Sequence, residues 1–310
     1  MSPAVDPDDL ARPEFLPDPA LSRAEMESLQ RDLAATATFA DDHGLDPAAV
    51  AIDEPADLTG GLPDACQETL TGAHADAGHA DSPVVVGVDQ AFLTPDDGED
   101  RAVSAAVAIR DGTVIEYASA ITPLSIPYVP GLLAFREGEP MLAALDALSV
   151  EPDLLVCDGS GRIHFREAGV ATHVGVLLDV PSVGVAKSLL CGAPDEPPDE
   201  RPAGWRTPIR ADESVSTAVA DGDVSGDSGD TADSDTDDTA DSDAPVIGHA
   251  YQSRQYPNSR RVNPLYVSPG HRVSPATTVE LVEALCAGYK LPEPTRIADA
   301  YADVAKRDTS

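Results

Sequence analysis

Three carboxylate residues occupy positions at which the chain should hold a side chain rigidly. Asp89 follows the apolar run VVVGV, Asp158 follows LLVC, and Glu137 ends the stretch PYVPGLLAFRE at residues 127–137. A charged group at the end of a buried strand is unfavourable unless it is paired or binds a cation. One such aspartate is usually a turn or helix-capping residue. Three in this order favour an oxygen-rich site for Mg²⁺, with Mn²⁺ as a substitute.

Two basic residues could complete such a site. His271, in SPGHR, could position a water molecule or protonate a leaving oxygen beside a metal. Lys187 follows the predicted strand PSVGVA, and the only other lysines in the chain are Lys290 and Lys306. Lys187 could neutralise a phosphate or an attacking oxygen. Together, the carboxylates, the metal and the cation predict phosphodiester hydrolysis.

Residues 246–279 contain no acidic residue, although the formal net charge of the chain is −35. Arginine with interleaved aromatic side chains is a combination that tracks phosphates and stacks on bases. The segment is therefore predicted to contact nucleic acid, the alternative being an acid-free stretch buried against the sheet. Its arginines and tyrosines are Arg254, Arg260, Arg261, Arg272, Tyr251, Tyr256 and Tyr266.

The overall charge bears on which partners are possible. The 310 residues include 55 Asp and Glu against 20 Lys and Arg. An Asp-rich, Lys-poor surface holds water and is typical of an extremely halophilic cytoplasm. Such a charge normally repels nucleic acid, but the Debye length shrinks to about 3 Å at 1 M salt. A nucleic-acid substrate therefore remains compatible with the composition.

The chain shows no sign of export or membrane insertion. It begins MSPAVDPDDLARPEF, without a charged segment followed by an apolar one, and no apolar run reaches the length of a membrane span. The four cysteines are scattered without a CxxC pair and are predicted to be reduced thiols. We expect a cytoplasmic protein that does not contact a membrane and acts as a monomer.

The N-terminal part divides into two predicted segments. Residues 1–42 contain a helix that begins after Ser22, with Glu25 completing a capping box. Its buried stripe is predicted to contain Leu29, Leu33 and Phe39. Residues 43–82 are rich in Gly, Ala and Asp, and are predicted to be a surface linker or a poorly ordered insertion.

Residues 83–310 are predicted to form an α/β domain with a mixed central sheet flanked by helices. The strand ending at Asp89 is followed by a hairpin around Asp111-Gly112, the helix EGEPMLAALDALSV and the strand DLLVCD. The helix AGVATHVGVLLD, the strand PSVGVA, a helix start at KSLL and a final helix PATTVELVEALCAG come next. Residues 211–245, rich in Asp, Ser, Thr and Gly, are predicted to be a disordered insertion.

Four co-linear motifs over about residues 84–290 resemble the endonuclease V family: GVDQAF, PYVPGLLAFRE, DLLVCDGSGRIHFREAGVATHVGVLLDVPSVGVAKSLLCG and NPLYVSPGHRVS. The resemblance implies a ribonuclease-H-like fold and Mg²⁺-dependent hydrolysis of the second phosphodiester bond 3′ to deoxyinosine, leaving 3′-hydroxyl and 5′-phosphate ends. It implies that Asp89, Glu137 and Asp158 are catalytic, metal-binding carboxylates. It further implies that His271 is the catalytic histidine and that Lys187 lies near the scissile phosphate.

The resemblance also assigns the residues that recognise the lesion. Tyr128 resembles the wedge that fills the gap left by the extruded base. It stands in the stiff frame of Pro127 and Pro130, and the base pocket would be lined by backbone around Gly131, Leu133 and Gly159. Glu167 stands where the family usually has a basic residue, so it is expected to weaken phosphate contact or shift substrate preference. The expected phosphate and DNA contacts are His164, Arg166, Arg136 and Arg272.

Three other functions are compatible with parts of the sequence. The chain could cleave inosine-containing RNA, because discrimination of the 2′-hydroxyl depends on pocket geometry. It could be an inactive nucleic-acid-binding module, although the presence of all three carboxylates argues against this. A resolvase-like nuclease that recognises DNA shape is disfavoured by PYVPG. The expected partner is DNA that contains deoxyinosine or another deaminated base.

Overall fold

A nine-stranded mixed sheet forms the centre of the protein in the computed structural model, which describes residues 5–66, 82–95, 98–216 and 243–309. The strand order is β3-β2-β1-β4-β5-β9-β8-β7-β6. The strands are β1 Val85–Leu93, β2 Arg101–Arg110, β3 Thr113–Pro123, β4 Leu154–Asp158, β5 Ser182–Ala186, β6 Ala193–Pro194, β7 Arg206–Arg210, β8 Val246–Tyr251 and β9 Leu265–His271.

Parallel pairing is confined to the central strands β1, β4 and β5, and the other pairs are antiparallel. The β2–β3 hairpin turns at Asp111 (φ 50°) and Gly112 (φ 71°). Positive φ at both residues matches the twist of the flanking strands in a two-residue turn. The hairpin and the mixed sheet predicted from the sequence are therefore confirmed.

Helices cover both faces of the sheet because side chains alternate along each strand. Val86 and Val88 pack on the face covered by α1, α2 and α3, whereas Val85 packs on the face covered by α4 and α5. No helix in the described part of the chain is long and apolar enough to cross a bilayer. The helices are α1 Arg23–Thr36, α2 Leu133–Asp146, α3 Val170–Leu178, α4 Pro275–Ala284 and α5 Glu293–Asp308.

The N-terminal segment packs on the first of these faces. The predicted capping box is present, since Ser22 Oγ accepts from the Glu25 amide and the Glu25 carboxylate accepts from the Ser22 amide. Leu33 is fully buried and Leu29 is partly buried, as predicted. The helix ends at Thr36, so Phe39 is not part of its stripe. Instead, the Phe39 ring lies 4.6 Å from the Arg162 guanidinium.

Residues 44–66 belong to the domain and do not form the predicted linker. Val50 and Ile52 are buried against the α4–α5 face, and the Ile52 amide donates to the Ala284 carbonyl at 2.9 Å. The Cys66 amide donates to the Val114 carbonyl on β3. Four partly buried apolar residues of the segment pack against the same face: Leu45, Ala56, Leu62 and Ala65. The rest of the predicted segment, residues 67–81, lies outside the described residues.

Other element predictions also need correction. The helix predicted to start at Glu137 begins one turn earlier, at Leu133. No helix begins at Lys187, where bends lead into β6. The helix after Ser274 is not the last one, since α5 follows it. Most of the predicted disordered insertion, residues 217–242, lies outside the described residues.

Candidate active site

The register of the parallel strands places Asp89 beside Asp158. The β1–β4 pairing runs to Val88 opposite Cys157, so the next residue on each strand is an aspartate. Both side chains project from the face covered by α5, following the alternation set by Val85 on β1 and Val156 on β4. Asp89 was predicted to end its strand, but β1 continues along β2 to Leu93. It lies where the parallel partner ends.

The helix α5 brings a fourth carboxylate that was not predicted. A Cβ added at Gly87 would lie 2.2 Å from the backbone carbonyl of Pro294, so the start of α5 packs directly on β1. One helical turn further on, the Asp299 side chain forms a hydrogen bond with Asp89. Asp299 lies beyond residue 290, where the recognised motifs end. A short-range signal for it was the Pro-rich helix start LPEPT, which precedes it.

Burial and neighbouring negative charge raise the pKa values of Asp89 and Glu137. Asp89 is 6% exposed, and burial, followed by the charge of Asp158, raises its pKa to about 9. The hydrogen bond and charge of Asp299 act in the same direction. Burial also raises the pKa of Glu137 to about 7, with Arg136 lowering it and Asp158 raising it. A bound cation would relieve this repulsion.

The donor set is suited to a hard divalent cation. Four carboxylates, Asp89, Asp158, Glu137 and Asp299, interact at this end of the sheet and offer oxygen ligands without a thiolate or imidazole. No three His, Cys, Asp or Glu side chains of the described ranges already converge closely enough to enclose an ion. The chemistry of the residues therefore fits Mg²⁺ or Mn²⁺.

Lys187 lies at the same end of the sheet. It follows β5, and its Nζ donates to Asp158 Oδ2 at 2.9 Å. Burial disfavours its charge, but the hydrogen bond to Asp158 and the charges of Asp158, Asp89 and Asp299 outweigh burial and raise the pKa of Lys187. With half of its side chain exposed, this cation can also reach a phosphate.

His271 and Arg272 do not lie with the carboxylates. His271 pairs with Ser182 at the start of β5, whereas Lys187 follows the end of β5 at Ala186. The strand between them spans about 13 Å. The His271 ring contacts Asp179 Oδ1 through Nε2 at 3.1 Å and accepts from the Thr38 amide through Nδ1. His271 lies away from the carboxylates because β9 runs antiparallel to β5. The C-terminal end of β9 therefore lies beside the N-terminal end of β5.

The loop between β3 and α2 presents Tyr128 at the carboxylate end. The Leu132 amide donates to the Val129 carbonyl at 3.0 Å, and Gly131 has a φ of 79°. With Pro130 before it, Gly131 forms a type II turn, which requires positive φ at this position. Ile126 and Leu132 are buried at the two ends of the loop, while Tyr128 is 67% exposed. The loop therefore holds an exposed ring on a fixed backbone.

Three side chains from the protein interior contact the Gly131 carbonyl. Arg166 Nη2 donates to it at 3.2 Å and Gln30 Nε2 at 3.1 Å, and the buried His164 ring lies against it. Burial and the Arg166 charge lower the pKa of His164 to about 4, although the Gly131 carbonyl opposes this. Arg166 also forms an ion pair with Glu27. These predicted DNA contacts instead support the Tyr128 loop from within the protein.

The other predicted contacts are also engaged inside the protein. Arg136 donates to the Ile126 carbonyl at 2.9 Å, which braces the Tyr128 loop. Arg272 forms ion pairs with Asp42 and Asp179. Glu167, expected beside the DNA path, is 1% exposed and paired with Arg162 at 2.6 Å. It therefore cannot repel a phosphate at the surface.

The backbone positions predicted to line a pocket lie close to the carboxylate residues along the chain. Leu133 is the first residue of α2, directly after the type II turn. Gly159 follows Asp158 with a φ of 139°, and a Cβ there would lie 2.6 Å from Val170. Pro127 is exposed beside Tyr128. The structure thus brings the predicted wedge and pocket positions to the end of the sheet that carries Asp158.

Comparison with known proteins identifies close relatives. The family model described as Endonuclease V matches residues 70–226 and 227–300. The chain is 54% identical to endonuclease V of Halobacterium salinarum over 296 residues, which is 94% of this chain and 98% of the relative. The crystal structure of endonuclease V from Streptomyces avermitilis superposes with a TM-score of 0.61 at 30% identity and covers 93% of this chain and 95% of its own.

A third comparison concerns a protein bound to nucleic acid. The Ciona intestinalis endonuclease V was solved with a 24mer DNA that contains an inosine followed by a ribo-adenosine. It superposes with a TM-score of 0.58 at 22% identity, covering 93% of this chain and 98% of its own. At that identity the likeness concerns the fold alone, which is the ribonuclease-H-like fold implied by the sequence motifs.

Proposed function

Since the chain belongs to the endonuclease V family, we propose that it is a DNA-repair endonuclease directed at deoxyinosine. It hydrolyses the second phosphodiester bond 3′ to the lesion and leaves 3′-hydroxyl and 5′-phosphate ends. The reaction depends on Mg²⁺, for which Mn²⁺ can substitute. The acidic surface suits this enzyme to a cytoplasm with a high salt concentration.

The observation that carries the proposal is the shared position of the charged cluster and the exposed ring. Asp89, Asp158 and Asp299 interact at the end of the sheet where Lys187 emerges. β2 is antiparallel to both β1 and β3, so β3 runs in the same direction as β1 and ends at the same end of the sheet. The loop after β3 therefore brings Tyr128 there. A nucleic-acid strand into which Tyr128 inserts would therefore lie across the carboxylates.

The residues of the site divide the work of hydrolysis. Divalent cations held by Asp89, Asp158, Glu137 and Asp299 would, when bound, supply the charge that activates a water molecule and stabilises the leaving oxygen. Lys187 retains its proton because its carboxylate neighbours raise its pKa, so it can contact a non-bridging phosphate oxygen. Asp89 is buried, which keeps competing water away from its oxygens. Electrostatic interactions of the carboxylate are stronger in such a water-poor environment.

Lesion recognition relies on a base leaving the helix. Extrusion of a base costs a few kcal/mol and is least costly for a mispaired base such as hypoxanthine. Tyr128 fills the space left in the stack, because the type II turn and the Arg136 brace hold its loop before DNA binds. The backbone around Gly131 and Gly159 then reads the edge of the extruded base through hydrogen bonds.

A nicking assay tests the proposal. Labelled duplexes that differ only in one deoxyinosine are incubated with the protein at high KCl concentration, with Mg²⁺ or with a chelator. We expect one nick, at the second phosphodiester bond 3′ to the deoxyinosine, and none in the matched duplex or with chelator. Asp89→Ala and Asp158→Ala should abolish it. Full activity in either variant would contradict the assigned site.

The same assay separates DNA from RNA substrates. An inosine-containing RNA of matched sequence is offered alone and in competition with the DNA. Faster cleavage of the RNA would make the protein an endoribonuclease with the same site. Binding to inosine DNA without cleavage under any metal condition would favour an inactive binding module.

A further inference from the structure

The loop of residues 252–264, called the basic loop below, joins β8 to β9 and has no role in the site described above. It emerges at the carboxylate end of the sheet, because Tyr251 pairs with Leu265 while Tyr266 pairs with Ala186, the residue before Lys187. Two strand spacings, about 10 Å, separate β5 from β8. The basic loop therefore stands beside the site on the flank away from Tyr128.

The basic loop has a fixed shape. Gln252 Nε2 donates across the loop to the Val262 carbonyl at 2.9 Å, and Gln255 Oε1 accepts from the Val262 amide at 3.0 Å. At the tip, Tyr256 and Ser259 form an isolated β-bridge. Because glutamine side chains join its two limbs, the loop can bind a partner without a large loss of conformational entropy.

Two exposed tyrosines are oriented by arginines on this flank. Tyr256 is 51% exposed and Tyr289, between α4 and α5, is 42% exposed. The Arg254 guanidinium carbon lies 5.6 Å from the Tyr256 ring centroid and 5.5 Å from the Tyr289 ring centroid. Arg296 lies 4.3 Å from the Tyr289 ring. The stacking of cations on these rings holds large aromatic faces at the surface.

The basic loop also carries positive charge that the described structure does not neutralise. Within residues 5–66, 82–95, 98–216 and 243–309, the guanidinium groups of Arg254 and Arg261 have no hydrogen bond or ion pair. Arg260 instead donates to the Glu200 carbonyl. Acidic residues on neighbouring segments include Glu200, whose carbonyl contacts Arg260, Asp199, whose charge acts on Tyr266, and Glu293, which is paired with Arg296.

Lys290 connects the basic loop to the active site. Its carbonyl accepts from Ser253 Oγ at 2.6 Å, so it adjoins the start of the loop. Burial and then the nearby Lys187 charge lower its pKa, so Lys290 neighbours Lys187 as well as the loop. Two of the three lysines of the chain thus lie on one path from Asp158 to the loop.

We propose that the basic loop, with Tyr289 and Lys290, is a second nucleic-acid contact that holds the cleaved strand on the side of the carboxylates away from Tyr128. Tyr256 and Tyr289 stack on unpaired bases, while Arg254, Arg261 and Lys290 contact phosphates. Stacking of this kind is tolerant of base identity. The inference rests on the proposed function, because it assumes that a nucleic-acid strand crosses the carboxylates.

The spacing predicts where this contact falls. For a strand that keeps the duplex rise of about 3.4 Å per nucleotide, the 10 Å between β5 and β8 corresponds to about three nucleotides from the phosphate at Lys187. The contact should therefore disappear when the substrate is cut back to fewer than about three nucleotides on one side of the scissile bond. Oligonucleotides shortened from the 5′ side and from the 3′ side reveal which side this is.

Binding of single-stranded inosine oligonucleotides, followed by fluorescence anisotropy in chelator, tests the inference. We expect the double substitution Tyr256→Ala with Tyr289→Ala to weaken binding of a long oligonucleotide about tenfold, within the range for the loss of a stacked base. It should leave binding of the shortened oligonucleotide unchanged. Tyr256→Phe keeps the ring and should bind as the parent does. Arg23→Gln on α1 is a matched control for the arginine variants.

Salt dependence separates stacking from phosphate contact. The slope of log affinity against log salt should fall by about 0.7 in Arg261→Gln, as expected for one lost contact to a single strand. At KCl above about 1 M, where released counterions contribute little, the tyrosine variant should show the larger defect. A slope equal to that of Arg23→Gln would overturn the role of Arg261.

The outcomes distinguish the two proposals. Parental affinity and length dependence in the double tyrosine variant would overturn the inference, whether or not the parent nicks inosine DNA. Loop-dependent binding by a parent that nicks no inosine substrate would overturn the proposed function while supporting the surface. Nicking that needs the longer arm in the parent but not in the variant would support both.

Discussion

The ammonium group of Lys187 lies 2.9 Å from a carboxylate oxygen of Asp158, at the ends of neighbouring parallel strands. The pair gives Asp158 a counter-ion among carboxylates that otherwise repel one another. It also directs one cation of a strongly acidic chain to the point where a phosphate would lie. The same contact therefore offsets repulsion among the carboxylates and positions the cation for its expected role at a phosphate.

Replacing the lysine should separate these two roles. We expect Lys187→Met to lower the nicking rate by about 100-fold or more, as for the loss of one group that stabilises transition-state charge. Single-turnover nicking with saturating enzyme measures this rate. Lys306→Met, in the last turn of α5, removes the same charge far along the helix and should nick at the parental rate. Equal rates in both variants would contradict the assignment.

Substitutions of Asp299 and of His271 should have opposite effects on nicking. Asp299 forms a hydrogen bond with Asp89, so Asp299→Asn should reduce nicking by about 100-fold while an exposed position leaves folding intact. His271→Asn should nick within about threefold of the parent per folded molecule, because it lies at the other edge of the sheet. The comparison uses nicking rates normalised to the folded fraction from circular dichroism. A dead His271→Asn beside an active Asp299→Asn would reverse the two roles.

Metal binding should be visible without catalysis. We expect Mg²⁺ to raise the melting temperature of the parent relative to chelator, by about 2–4 °C for each kcal/mol that binding adds to the free energy of unfolding. Asp89→Asn should melt higher than the parent in chelator, since an amide avoids the cost of burying or protonating a carboxyl group whose pKa is raised to about 9. It should respond less to Mg²⁺. An unchanged Mg²⁺ response would show that Asp89 is not a ligand.

The exposed ring of Tyr128 should matter for lesion binding alone. Tyr128→Ala should weaken the preference for inosine duplex over undamaged duplex by about tenfold, and Tyr128→Phe should preserve it, because stacking requires the ring and not the hydroxyl. Neither change should alter the melting temperature, since the side chain is 67% exposed. Equilibrium binding in chelator measures the preference. Parental discrimination in Tyr128→Ala would remove its role as a wedge.

A buried histidine predicts one component of acid unfolding. His173 donates through Nε2 to the Phe15 carbonyl at 2.7 Å, and burial lowers its pKa to about 4. A depressed histidine pKa favours the neutral folded form above the unfolded pKa of about 6.5, and this stability is lost as pH falls from there through 4. The full effect is about 3 kcal/mol.

His173→Gln keeps a donor but does not titrate. We expect its free energy of unfolding to change less than that of the parent between about pH 6.5 and pH 4. Denaturant titrations at several pH values give the difference between the two proteins, in which the contributions of the carboxylates cancel. Parallel curves would exclude His173 as a titrating group.

Several features of the site followed from local sequence. The apolar strands and the Asp111-Gly112 turn specified β1 to β4, and the parallel register then brought Asp89 to Asp158. The local sequence at the end of a strand does not indicate at which end of the sheet that strand terminates. His271 was misplaced because β9 runs against β5, and only tertiary pairing decides that direction.

The missed helix α5 shows a second limit. Its sequence EPTRIADAYADVAKRD is mostly polar, and its buried apolar residues are few: Ile297, Ala298 and Ala302. A weak apolar stripe is enough here because Gly87 lets the helix approach the sheet closely. That fit depends on a residue more than 200 positions away in the chain. The segment has an amphipathic pattern typical of a helix, but this pattern does not indicate where the helix packs, and Asp299 was therefore absent from the predicted site.

The continuity between the Tyr128 loop and α2 has a consequence for how the chain can change. Tyr128 and Glu137 are joined by one hydrogen-bonded type II turn and the first turns of a helix, with no irregular segment between. One residue inserted in that helical stretch would turn Glu137 by about 100° about the helix axis and displace it by about 1.5 Å. Substitutions in this stretch can therefore be absorbed, whereas insertions and deletions would remove Glu137 from the site while leaving the fold intact.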